Sequence, residues 1–430
     1  MPPQMSRSRA PIGAVLLGAA LAQASCSTRQ KWEGGVSVAR PEVIAQEFSP
    51  LLAPDTLQVQ TPDIPMPRGL RPCCAFGSGL QVELGFVPVP MLSLTNVVGV
   101  EDLGPHQYDH GIISLEQSRP GGDVMTSERN GLVYTCRGGF VDTAHLRDWC
   151  DWTLYLGALI ARNSRSGVSV DLPDEGGRRR IVIRPFESER LAQYGVVPLA
   201  VPLAQWIAFQ LSVWHEIATW YGWSATAFSE EASAFSPEDL YSNLLGIKLA
   251  AVLVYQGNVT SEAAYNENMN VALPNLLHAL GAVPGDQGRT AMSSIDGIWW
   301  DSRRRLPEKA LVRRRYMDHG TQLTPWLVSR RWGLDERSRR IAFACNGKEQ
   351  PIVLQNPEAW AGVPFHDQAT VEIEVSPAVA ARMPLPESRH RRITQDDFAA
   401  IISRIRTEND AEFGAGSCTP DPVPLARDAR

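Results

Sequence analysis

Apolar residues recur at helical spacing between Thr143 and Asn163, where Leu146, Trp149, Trp152, Thr153, Leu156 and Ile160 form one stripe, and this predicts a first long helix. A second apolar run, Leu203 to Tyr221, predicts a helix that begins after Pro202. A third runs from Pro237 to Tyr255, with Ser236 as N-cap, Pro237 at the first helical position and Glu238 and Asp239 in the first turn. Strand-like patterns lie on either side. Leu80 to Leu94 reads as short apolar strands interrupted by Pro88 and Pro90, and Asn130 to Cys136 as a buried strand. Val168 to Arg184 reads as a hairpin turning at Asp174-Glu175-Gly176-Gly177, and Thr370 to Val375 alternates as a half-exposed strand. Gln395 to Asn409 closes the pattern as a helix capped by Thr394. Helices clustered between 143 and 280 among scattered antiparallel strands predict an α+β fold in one large domain spanning 72–410.

Outside that domain the pattern dissolves. Met1 to Pro11 carries Arg7 and Arg9 and no acid, and Ile12 to Ala22 is an unbroken apolar and small-residue run. The expectation is a secretory signal over residues 1–25, too short to span a bilayer, and no later segment reads as long and apolar enough to do so. Ala24-Ser25-Cys26 resembles the end of a lipobox, although Gln23 stands where Leu is usual; Ala22-Gln23-Ala24 fits ordinary signal peptidase. Lipidation of Cys26 is the preferred reading, which makes the membrane a partner through that anchor and places the chain in the bacterial outer membrane or periplasm. Pro41, Pro50, Pro54, Pro62, Pro65 and Pro67 break any helix over 26–71, which reads as a tether, and 411–430 reads as a flexible tail.

Charge removes one class of partner. The chain has 41 basic against 47 acidic residues, a net −6, and the Arg triplets at 178–180, 303–305 and 313–315 sit among acids, so they read as solvated faces rather than a nucleic-acid surface. Setting Cys26 aside leaves six cysteines, at 73, 74, 136, 150, 345 and 418. An oxidising compartment allows up to three disulfides, with Cys136–Cys150 one candidate and adjacent Cys73 and Cys74 bonded to separate partners.

Trp214-His215-Glu216-Ile217-Ala218-Thr219 is the strongest chemical signal. Zinc peptidases set two His four apart on one helical face with a Glu between them; Thr219 here takes the place of the second His, so any metal must recruit ligands from other segments. Asp142, His145 and Asp148 are spaced three apart at the start of the first helix, near one face, and Glu238 and Asp239 open the third. The expectation is a divalent ion, zinc for imidazole ligands, held by His145, His215 and an acid from Glu238, Asp239 or Asp142, with Glu216 as general base of a hydrolase. Against it stands a His-Glu core pair in a non-enzymatic binding or scaffold protein, with Asp148 paired to an Arg. A third reading pairs Cys136 with His145 as a thiol hydrolase or acyltransferase. His106 and His110 are a further ligand source, and Trp299-Trp300-Asp301-Ser302 could line a sugar-stacking cleft, although packing suits the tryptophans better. There is no nucleophile elbow and no phosphate-binding glycine loop.

Four stretches together carry a resemblance: Arg71-Pro-Cys-Cys-Ala-Phe-Gly77, Tyr134-Thr-Cys-Arg-Gly-Gly-Phe-Val-Asp-Thr-Ala-His145, His215-Glu-Ile-Ala-Thr-Trp-Tyr-Gly222 and Phe235-Ser-Pro-Glu-Asp-Leu-Tyr-Ser-Asn-Leu-Leu-Gly246. They are similar to a family of exported bacterial proteins, many of them lipoproteins, whose domain has no known function. The resemblance covers roughly residues 70 to 380. It implies an envelope location and one domain, and it implies no reaction.

Overall fold

Three helices buried against one another form the centre of the computed structural model, which describes residues 62–71, 75–84, 87–94, 96–110, 128–222, 231–328, 344–345, 350–383, 385 and 391–419. The signal, Cys26, most of the tether, Cys73 and Cys74 lie outside the described residues. Helix α1 (Thr143–Arg162) packs against α3 (Val196–Trp220) and α4 (Asp239–Tyr255). Every residue of α1 except Arg162 is buried, so this is a helix enclosed on all sides rather than an amphipathic one. The close approach of α4 to α1 depends on Gly246, where an added Cβ would overlap the Leu146 carbonyl oxygen. α2 (Ser188–Tyr194), α5 (Glu262–Ala279), α6 (Gly285–Ser294) and the C-terminal helix Phe398–Phe413 complete the longer helices.

Strands β1 (Leu80–Leu84) and β2 (Val87–Leu94) pair, as do β3 (Leu132–Thr135) and β4 (Gly139–Asp142). β5 (Val168–Leu172) and β6 (Gly177–Ile183) make the expected hairpin, Gly176 taking φ 63° in its turn. Two-residue pairs follow, β7 (Gln322–Leu323) with β8 (Leu354–Gln355) and β9 (Ala359–Trp360) with β10 (Val363–Pro364). β11 (Ala369–Val375) then lies between β6 and β12 (Arg392–Thr394), giving an antiparallel sheet of order β12-β11-β6-β5. Residues 369, 371, 373 and 375 of β11 are buried and their neighbours are not, the alternation its sequence predicts. The architecture is α+β in one domain.

Four boundaries differ from the sequence reading. Helix α3 starts seven residues early, at Val196, and carries Pro202 inside it. That helix is long and apolar enough by composition to cross a membrane, contrary to expectation, and 78% of its most apolar window is buried in the protein. Helix α4 begins at Asp239 with Glu238 as cap residue, because Ser236 to Asp239 form a turn in which the Ser236 amide donates to Asp239 Oδ2 (2.6 Å). The tether is shorter than 26–71: Ile64 is buried and Arg71 is 4% exposed. At the other end the last helix runs to Phe413, and Cys418 beyond it is buried.

Candidate metal centre

Helices α1, α3 and α4 bring their polar residues to one buried locus, and the local sequence explains how. β4 ends at Asp142, whose carboxylate accepts from the amides of Ala144 (2.7 Å) and His145 (3.2 Å) and so caps α1, while its own amide donates to Ser242 Oγ (2.9 Å) on α4. The starts of α1 and α4 are thereby tied together. His145 sits in the first turn of α1, and its ring meets the His215 ring of α3 edge to face with centroids 5.5 Å apart. His145, His215 and Glu216 each offer a donor atom, and these atoms lie within 4.8 Å of one another.

Each histidine has a carboxylate at Nδ1. Glu175 Oε1 lies 2.6 Å from His215 Nδ1, and Asp239 Oδ1 lies 3.4 Å from His145 Nδ1. The carboxylate bonded to His215 fixes that ring's tautomer and orientation, leaving Nε2 as its donor atom, whereas Asp239 lies beside His145 without completing a hydrogen bond to it. Glu175 is itself held by Arg179. Burial would raise its carboxyl, but Arg179, and then His215, outweigh that and hold it below the usual range.

The remaining acids are oriented but not satisfied. Glu216 Oε2 accepts from the Phe235 amide (2.7 Å) and Asp239 Oδ2 from the Ser236 amide; Glu216 Oε1 and Asp239 Oδ1 accept from no N–H donor among the described residues, and the two carboxyls lie within hydrogen-bond reach of each other, which helps to raise Asp239. Glu238 has none on either oxygen, and the same holds for both ring nitrogens of His145, for Thr219 Oγ1 and for both amide atoms of Asn243. Thr219 and Asn243 stand one helical turn after His215 and Asp239, on the same helix faces. Buried polar groups are almost always paired, so an accumulation of orphans at one place calls for a ligand. Burial raises the Glu238 and Asp239 carboxyls well above their usual range, and the neighbouring carboxylates of Asp142 and Glu216 add to it.

The structure redistributes several candidates. Glu216, read as a base, stands with the two histidines as a third donor. Glu238 lies outside that triad but among its carboxylate neighbours. Asp148 does not share the His145 locus: it and Asp151 bind Arg71 (Nη1 to Asp148 Oδ1 2.8 Å, to Asp151 Oδ2 3.0 Å), and Arg71 Nε donates to Glu128 at 2.5 Å. His106 belongs to that second cluster, 3.3 Å from Glu128 and 3.2 Å from Asp151. The Cys136–His145 pairing fails because Cys136 is bonded to Cys345. The Cys136–Cys150 disulfide fails with it, since Cys150 is a buried free thiol, as is Cys418. Trp299 and Trp300 are core residues: Trp299 packs on Trp326 (5.5 Å) and Trp300 Nε1 donates to the Met292 carbonyl (3.0 Å). Of the arginine triplets, Arg179 and Arg315 are buried rather than solvated.

Sequence reasoning missed Glu175 and Asn243. Glu175 lies in the β5–β6 turn, where an acid is ordinary. Asn243 was open to detection as an amide amid the apolar residues of α4.

The profile of a family described as a protein of unknown function (DUF4056) matches residues 61–329, which include every residue of the locus. No curated protein and no solved structure matches the chain.

Proposed function

The chain belongs to this family of unknown function, and from the geometry of its own residues we propose that it is a metal-binding protein of the bacterial cell envelope with hydrolytic activity. The observation that carries the reading is the pair of histidines, each with a carboxylate beside Nδ1, meeting Glu216 within 4.8 Å in a buried setting that leaves the His145 ring nitrogens without a hydrogen-bond partner among the described residues. Two imidazoles and one carboxylate are the ligand set of catalytic zinc sites and of other open divalent centres. A divalent ion, zinc as the first expectation, supplies Lewis acidity and a water of lowered pKa. Glu238 and Asp239, outside the triad, are the groups positioned to accept a proton.

A second reading, a structural ion in a non-enzymatic protein, is favoured by burial, since His145, His215, Glu216, Glu238 and Asp239 are each at most 6% exposed. Elemental analysis of the wild type, purified without chelators, tests the common part. Bound divalent metal is expected, lost in His145→Ala, His215→Ala and Glu216→Gln; a folded, metal-free wild type would overturn it. Metal-dependent cleavage of ester, peptide or phosphoester probes, abolished by chelation, separates the hydrolase from the structural ion.

Export and lipidation of Cys26 belong to the same proposal. The Cys136–Cys345 disulfide supports an oxidising compartment. Cys26→Ala should release the protein from membranes into the soluble envelope fraction, and unchanged membrane retention would remove the anchor.

A further inference from the structure

Ala234, Phe235 and Ser236 lead into the start of α4 and are fully buried, and Phe235 takes φ 53°. A bulky side chain in the left-handed region is a backbone outlier. Such strain persists only where the surroundings over-determine it, and it collects at functional sites. The turn stands next to the His145 locus, and its polar output can be followed atom by atom.

The Phe235 amide donates to Glu216 Oε2 (2.7 Å). The Ser236 amide, shared with the Ser233 carbonyl (3.2 Å), donates to Asp239 Oδ2 (2.6 Å). A left-handed residue in a turn makes consecutive N–H groups converge on one side of the chain, the arrangement that gives backbone anion-binding concavities. Here two carboxylates from two different helices fill the concavity, and one of them belongs to the His145, His215 and Glu216 triad.

The opposite side of the turn is tied down. The Tyr316 amide donates to the Phe235 carbonyl (2.8 Å), the Arg315 guanidinium donates to the Ala234 carbonyl, and the Phe235 side chain belongs to the hydrophobic core. Arg315 is itself fully buried, with its other terminal nitrogen on the Lys309 carbonyl (2.9 Å). What the left-handed conformation adds over an ordinary turn is the direction of the two amides.

We infer that Phe235 is a positioning residue: its left-handed turn holds Glu216 by Oε2, so that Glu216 meets the ion through Oε1 alone. That oxygen accepts from no N–H donor among the described residues. Two imidazoles and one carboxylate oxygen then occupy three positions and leave a fourth for water or substrate, the open coordination of a catalytic site. The inference rests on the metal-binding reading above and deepens it, since it assigns the single-oxygen binding of Glu216 to a turn that is not itself a ligand.

The test compares three substitutions in the full-length protein, read by zinc affinity in competition with a chromophoric chelator and by the visible spectrum after Co(II) loading. Phe235→Gly and Phe235→Ala both lose the ring, but glycine adopts the left-handed conformation freely and alanine does not. Phe235→Pro loses the N–H and fixes φ near −65°. Ring loss lowers Tm in all three with or without metal, so stability drops out of the comparison. Phe235→Gly should keep the wild-type zinc affinity and Co(II) spectrum. Phe235→Ala should bind about tenfold more weakly than Phe235→Gly, and Phe235→Pro about 10–100-fold more weakly, with an altered spectrum. Equal zinc affinity in Phe235→Gly and Phe235→Ala would overturn the inference, whether or not Phe235→Pro folds, and leave the metal-binding reading standing. A wild type that binds no zinc would overturn both.

Discussion

Helix α1 serves two buried polar clusters that differ in one respect. Around Arg71 the charges compensate one another: Arg71 and Arg147 stand against Glu128, Asp148 and Asp151, His106 bridges two of the acids, and Tyr265 donates to Asp151 at 2.7 Å. Around His145, Glu216, Glu238 and Asp239 make no ion pair with a lysine or arginine among the described residues, and Glu216 Oε1, Asp239 Oδ1 and both Glu238 oxygens accept from no N–H donor there. Burial costs both clusters the same loss of hydration. The first recovers it within the chain and is architecture, clamping the 62–71 segment and the 104–109 loop onto α1 and α5. The second finds no such recovery among the described residues, and a bound cation is what we propose supplies it.

The largest effect should come from breaking the compensated cluster. Arg71→Met leaves Asp148 without its ion-pair partner, with Arg147 remaining on Glu128 and His106 between Glu128 and Asp151, and removing one partner of a buried ion pair costs about 3–5 kcal/mol. Thermal unfolding should show this loss equally with and without chelator; a chelator-dependent loss would mean the clusters are not independent.

Chelation of the wild type should come next. An ion present at 100 times its dissociation constant contributes about 2.7 kcal/mol, so calorimetry should find a lower Tm in chelator, restored by added metal. An unchanged Tm would erase the distinction drawn between the clusters.

The helices and the pair His215-Glu216 were legible because their signals are local: a 3.6-residue period, and adjacent ligand-type residues in an apolar run. The compensated cluster was not legible, since Arg71 and Glu128 lie in irregular segments 77 and 20 residues from Asp148, and nothing in the sequence says that the chain returns there. The i, i+3 spacing of His145 and Asp148 even pointed the wrong way, because α1 is buried on all sides and residues 60° apart around it meet different neighbours. Glu175 was hidden in turn chemistry, and Cys345 lies 209 residues from its partner, a connectivity that cysteine spacing does not encode.

A smaller effect sharpens the role of Glu238. Burial and then Asp142 raise its carboxyl well above the usual range, so in chelated protein Glu238→Gln, which resembles the protonated acid, should cost little stability. In metal-loaded protein the same change removes a proton acceptor but no member of the triad, so bound metal and stability should again hold while any hydrolytic activity falls. Loss of bound metal in that variant would contradict this division of roles.

The smallest effect is a pH trend in the other cluster. Burial outweighs Arg71 and pushes Asp148 up to about 7, while Arg71, acting against burial, keeps Glu128 well below its usual range. A carboxyl raised on folding contributes stability at low pH and loses it as pH rises toward its folded value. Asp148→Asn cannot lose a proton there, so its Tm relative to wild type should rise between about pH 4 and 7. A difference that stays flat over that window would show that Asp148 remains ionised beside Arg71.

The central claim is that the orphaned atoms of α1, α3 and α4 face metal. Crystals of the full-length protein grown with Zn(II) or Mn(II), with diffraction recorded at the metal's absorption edge, test it most directly. The account predicts anomalous density about 2.0–2.2 Å from the histidine nitrogens and the nearest carboxylate oxygen, with Glu175 still on His215 Nδ1. Ordered side chains bonded only to one another or to water, with no anomalous density between His145 and His215, would contradict it.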